Sequence, residues 1–193
     1  MKNTAKSVDV ISAGLNAKSG HLESVGAKGR YVIECRDSNG NLKWKEGIDN
    51  LVVNVGLQYM AGSALTSTAQ ITSWYLGLIT GPGSGTTIAA GDTMSSHAGW
   101  TEFTGYSNAT RPAATFTAAT AADPSVVTNS GSPAAFTINA SGTVAGAFLT
   151  SGSGKSGTTG TLFSASDFQS PGDRSVVSGD TLNVTYTFSL DAV

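Results

Sequence analysis

Three side chains that could move a proton or hold a metal ion stand at equal intervals, Asp92, His97 and Glu102, within GDTMSSHAGWTEFTGYSNATRP at residues 91 to 112. An imidazole with two carboxylates is the raw material of general acid–base chemistry, and all three are donors that zinc or manganese accepts. Five-residue intervals alternate between the faces of a strand, so only a loop could bring the three to one point. No HExxH or facial-triad spacing supports a metal. A Ser/His/Asp hydrolase would need the G-x-S-x-G elbow in a mostly parallel α/β pattern, and the chain offers neither. The same residues can instead fasten a loop. Asp92 follows Gly91 in a turn setting, where a carboxylate accepts from backbone N–H groups, and His97 can bond the backbone of an ordered loop. Trp100, Phe103 and Tyr106 supply apolar area to pin it. Loop fastening is the expected role, with Arg111 pairing with Glu102 or Asp92 in an exposed ion pair that contributes about 0–1 kcal/mol.

GSGKSGT at residues 152 to 158 invites a phosphate-loop reading, but a Walker A loop needs Gly five residues before its GK pair, and Leu149 stands there. The flanking pattern also lacks the helix whose N-terminus would face a phosphate, so a flexible, exposed loop is expected. N-x-S/T triplets begin at Asn108, Asn139 and Asn183, and without a secretory route they carry no information. No catalytic, cofactor-binding or metal-binding residue is therefore expected, and the chain reads as a non-enzyme.

The elements that must position these residues follow from composition. Only 12% of the 193 residues are charged, against about 25% in an average soluble protein, and 24 are Gly. Short strands, many turns and hydroxyl-rich surfaces suit that mixture. A formal net charge of -2 with no long basic run gives little phosphate neutralisation, so nucleic acid is not an expected partner. Cys35 is the single cysteine, which excludes an intrachain disulfide and a cysteine-based zinc cluster. The first residues lack the apolar stretch of a signal peptide, and no run approaches the roughly 20 apolar residues of a membrane helix. Synthesis in a cytosol and no membrane partner are expected.

Residues 1 to 28 read as an extended arm or a disordered terminus, and residues 29 to 193 as one β-domain. In RYVIECRDSNGNLKWKE, Tyr31, Ile33 and Cys35 share a face, DSNG supplies a turn, and Leu42 and Trp44 return facing inward; this is a β-hairpin. Its outer face carries Glu34, Arg36, Lys43 and Lys45, set for cross-strand charge pairing. The spacing of Leu51, Val52, Val55, Tyr59 and Met60 predicts one short helix near residues 49 to 64, capped by Asp49 or Asn50, with Gly56 tolerated if the helix lies close on a sheet. SWYLGLIT at 73 to 80 reads as a buried strand. ATFTA, SVVTN, AAFTINA, TVAGAFLTS and TLFSAS follow at intervals of about ten residues, as in an antiparallel sandwich or barrel. In TLNVTYTFSL, Leu182, Val184, Tyr186, Phe188 and Leu190 point inward, a central strand with one wet face.

The order of parts (hairpin, NLVVNVGLQYM, WYLGLITG, a Gly/Thr loop, DTMSSHAGWTEFTGYSNATRP, a terminal SGDTLNVTYTFSL) resembles that of small virion structural proteins of tailed bacteriophages, above all head-decoration or cement proteins. The resemblance runs from about residue 30 to the C-terminus. It implies a mainly β fold, an antiparallel sandwich of jelly-roll-like topology, that decorates a capsid by bridging neighbouring subunits. Its partners would be the major capsid protein and copies of itself, a trimer for preference, with the virion as its location and interface residues unassigned. The alternative is a receptor- or glycan-binding module of a tail or fibre, with Trp74, Trp100 and Tyr106 as exposed platforms.

Overall fold

Strict alternation creates the first long strand. The computed structural model describes residues 25–81, 86–168 and 172–192, and within it strand β1 runs Val25–Arg36 with Tyr31, Ile33 and Cys35 fully buried. The expected arm lies outside the described residues except for its last four, which already belong to β1. Asp37 shapes the turn by accepting from the N–H groups of Asn39 and Asn41, both at 2.9 Å, and Gly40 takes a φ of 84° that a side chain would oppose. β2 returns as Leu42–Asp49. On the outer face Lys45 meets Glu34 at 2.6 Å, the expected cross-strand pair. Leu42 does not face inward. The register shifts between Cys35 and Arg36, which places Leu42 opposite Arg36 and leaves it 53% exposed.

The helix begins later than its periodicity suggests. Asp49 ends β2, where its carboxylate pairs with Arg30 at 2.6 Å, and Asn50 donates to the Tyr186 hydroxyl at 2.9 Å; both residues stand ahead of the helix's N-cap, and neither caps it. Leu51–Val52 form strand β3. Helix α1 spans Asn54–Leu65, with Val53 at the N-cap and no side-chain cap bond. Neighbouring backbone takes that role: the N–H of Asn54 donates to Ala90 O at 2.8 Å and that of Val53 to Phe163 O at 3.2 Å. Gly56 is buried, and a Cβ there would land on the Phe163 carbonyl, so the close approach anticipated for this glycine is present.

The remaining strands are β4 (Tyr75–Thr80), β5 (Glu102–Phe103), β6 (Ser125–Thr128), β7 (Ala134–Thr137), β8 (Gly142–Thr150), β9 (Leu162–Asp167), β10 (Arg174–Val176) and β11 (Thr181–Ala192). ATFTA forms no strand: the Ala114 N–H bonds Trp74 O and the Thr117 N–H bonds Thr128 O, isolated bonds to two different neighbours rather than a ladder.

Two antiparallel sheets result. One has the order β2-β1-β11-β6, with β7 also paired to β11, and the other β3-β9-β8-β4-β5, with β10 paired to β8. Their inner faces meet as a β-sandwich, and α1 packs beside β9. β11 is central, as its alternation implies. Leu182, Val184 and Tyr186 are buried, while Phe188 is half-buried, edge-on to Phe163 of β9, and Leu190 is 39% exposed. Between the sheets the Tyr31 hydroxyl lies 2.7 Å from Ser164 Oγ, which donates to the Tyr186 hydroxyl at 3.3 Å. Burial raises both phenol pKa values, so these hydroxyls stay protonated and serve as hydrogen-bonding struts.

Gly56→Ala should destabilise the protein by about 1–3 kcal/mol despite alanine's better helix propensity, because the new methyl meets rigid backbone. Urea unfolding of both proteins checks this; a stabilised variant would show that α1 sits further from β9.

Candidate functional site

β5 sets the geometry of the candidate region by pairing Glu102 with Ile79 and Phe103 with Leu78 at the edge of the second sheet. Glu102 thus starts from a rigid strand. Its carboxylate receives Arg111 in a two-pronged contact, Nε at 2.9 Å and Nη2 at 2.8 Å, and also the N–H of Ser156 at 2.5 Å. Both side chains are buried, Arg111 at 1% and Glu102 at 6% exposure, so the pair is not the exposed one expected. Arg111 also donates to Gly152 O at 2.7 Å and Gly157 O at 3.1 Å, and its guanidinium lies 5.2 Å from the centre of the Phe148 ring.

These bonds overturn the expectation for residues 152 to 158. The loop is exposed at Gly154, Ser156 and Thr158 but not free: GSGKSGT is held by Arg111 and Glu102, and Lys155 donates to Tyr106 O at 2.5 Å while sitting 4.1 Å from that ring's centre. Burial, followed by the Glu102 charge, raises the Tyr106 phenol pKa, so its hydroxyl remains a donor, directed at Glu102 from 3.4 Å.

Asp92 and His97 are engaged separately. Asp92 accepts from the Ala89 N–H at 3.0 Å and from the Trp100 indole N–H at 2.9 Å, the turn-bracing role its setting implied. His97 stacks on Trp100 with centroids 3.9 Å apart, and its Nδ1 lies 2.9 Å from Trp100 O. A carbonyl only accepts, so Nδ1 carries the proton in this bond. Trp100 in turn tilts against Phe148 at 5.1 Å. The three equally spaced residues are therefore not brought to one centre, and the depression of about 270 Å³ beside them is lined by the same fastened groups, including His97, Glu102, Arg111 and Ser156. Among the described residues, no group of three or more His, Cys, Asp and Glu is placed to hold a metal ion; the second histidine, His21, lies outside them.

Two other titratable groups lie elsewhere. Cys35 is fully buried, and burial together with Asp180 pushes its thiol up to about 12, which leaves almost no thiolate at neutral pH. Asp167 is raised to about 6, first by burial and then by Asp173; this acidic pair, at the end of β9 and just before β10, was not visible as a pair in the sequence.

The rings proposed as binding platforms are mostly unavailable. Trp100 is 4% and Tyr106 1% exposed, and Trp74 is half-buried edge-on to Tyr59 and Phe163. No family model matches the chain, no curated protein matches its sequence, and no solved structure matches its fold.

Glu102→Gln leaves Arg111 charged and buried without a countercharge, so it should cost about 3–5 kcal/mol. Hydrogen exchange of residues 152 to 158 should accelerate in the same variant; unchanged exchange would show that the loop is held by other means. The Asp167 pKa is raised above its ordinary 3.8, so its contribution to stability is complete below that value and lost as pH rises through about 6. Asp173→Asn should accordingly stabilise the protein at pH 7 relative to wild type and much less at pH 4.5, as read by denaturant midpoints.

Proposed function

We propose that this protein is a structural component of a phage particle, binding in repeated copies across the joints of a capsid shell and holding neighbouring subunits together. The observation that carries this reading is the use to which the chemically capable side chains are put. Asp92, His97, Glu102 and Arg111 all brace the protein's own backbone within a β-sandwich. Such a body suits mechanical work, where many modest contacts made together replace one strong site. The likeness in order of parts to head-decoration and cement proteins adds the location and the partners: the major capsid protein and further copies of this chain, three for preference. Self-association would cover apolar surface that the single chain leaves open, such as Leu57 at 44% and Leu65 at 86% exposure on α1. The receptor- or glycan-binding alternative is weakened by the burial of Trp100 and Tyr106.

Particles lacking the protein should lose their heads at a lower temperature than complete particles, and adding back the purified protein should restore heat resistance, with equal adsorption to cells throughout. Loss of adsorption with unchanged heat resistance would reverse the ranking in favour of the receptor-binding alternative.

A further inference from the structure

The longest strand standing at a sheet edge is β2, with 8 residues, against 4 or fewer in β3, β5, β6, β7 and β10. Among the described residues β1 is its one neighbour in the ladder. Alternate N–H and C=O groups of β2 therefore point away from the sheet, the pattern onto which a strand of another chain can add. The side chains along β2 work against that addition. Cys35 lies opposite Trp44 but Arg36 opposite Leu42, so Lys43 is an extra residue that interrupts the ladder near the start of the strand. Its ammonium is held 2.5 Å from the buried Asp180 carboxylate. Lys45 projects from the wet face, while Glu46, opposite Ile33, projects from the face that elsewhere builds the core and pairs with Arg174 of β10. Trp44 on that same side donates its indole N–H to Ser175 O at 3.3 Å. A strand added beyond β2 would thus have to cover an ion pair.

A second copy adding antiparallel through its own β2, with both wet faces on one side, meets like charge at each central register. Centred on Lys45, the two ammonium groups lie directly opposite; centred on Glu46, the two carboxylates do. Centred on Gly47, Lys45 faces Asp49, but Arg30 already holds that carboxylate at 2.6 Å. There the two Arg30 side chains also meet, because each guanidinium lies over its own Gly47, where a Cβ would come within 2.5 Å of it. Like charges directly opposite across a ladder are destabilising. We infer that β2 is an edge closed to strand addition, that Lys45 and Glu46 close it, and that copies of this chain associate through other surfaces, whether or not they bind a capsid shell. An uncharged edge of this length would instead be a template for open-ended aggregation.

Residue-resolved hydrogen exchange of the full chain at low and high concentration tests it. In the wild type, the β2 amides that do not bond β1 should exchange freely at both concentrations. In Lys45→Thr/Glu46→Thr they should slow severalfold as concentration rises, with a matching rise in sedimentation coefficient. Exchanging the two charges, Lys45→Glu with Glu46→Lys, breaks the same ion pairs to Glu34 and Arg174 but keeps like charge opposite like charge, so that variant should behave as the wild type. Protection of those amides in the wild type overturns the inference, since the edge is then already covered. Unchanged exchange in the threonine variant overturns it too. So does slowing in the charge-exchanged variant, which would trace association to the broken ion pairs instead of the lost repulsion.

Discussion

Burial of one face of β11 against the opposing sheet is the interaction on which the remaining architecture depends. Leu182, Val184 and Tyr186 project from a strand flanked by β1 on one side and by β6 and β7 on the other, so a single alternating segment aligns three neighbours. Fully burying one large apolar side chain is worth about 1.5–3 kcal/mol, and the paired Tyr31, Ile33 and Cys35 double the surface involved. Once this face is committed, the second sheet has a fixed partner, and the loops must be fastened wherever their ends emerge.

That fastening explains where the polar residues went. Glu102 and Arg111 form a buried pair that reaches both ways, to β5 and to the loop after β8. Isolating two charges from water is costly, and what offsets it here is the number of additional bonds: the Ser156 N–H donates to the carboxylate, and the guanidinium donates to the carbonyls of Gly152 and Gly157. A Gly- and Ser-rich segment of high chain entropy is thereby ordered by one arginine. Asp92 does the same on a smaller scale for the turn carrying Ala89, with the Trp100 indole as its second donor.

Much of this fold was legible where the signal is local. The hairpin turn, β4, the phase of β11 and the close approach at Gly56 follow from periodicity and from residue type within a short window. Leu42 escaped because a register shift between Cys35 and Arg36 reverses its phase, and no residue near it announces a bulge. The helix start was misplaced because Leu51 and Val52 pair with Ala165 and Ser164 of the distant β9, which carries the chain past the good capping residues Asp49 and Asn50 in extended form before the helix begins. Arg111 was legible as a partner of Glu102 but not as buried, since the carbonyls that complete its environment lie 41 and 46 residues further on. Local pattern reports what a side chain can do; distant chain decides which option is taken.

The pairing of Val25 with Ala192 brings the outer ends of β1 and β11 side by side at one pole of the sandwich. A pull applied between those two points would part the β1–β11 ladder like a zipper, loading its hydrogen bonds one after another instead of all at once. Tension applied along the strands, from opposite ends of β1 and β11, would load those bonds together. The ladder is therefore mechanically anisotropic, weak toward traction at that pole and strong against shear along its length.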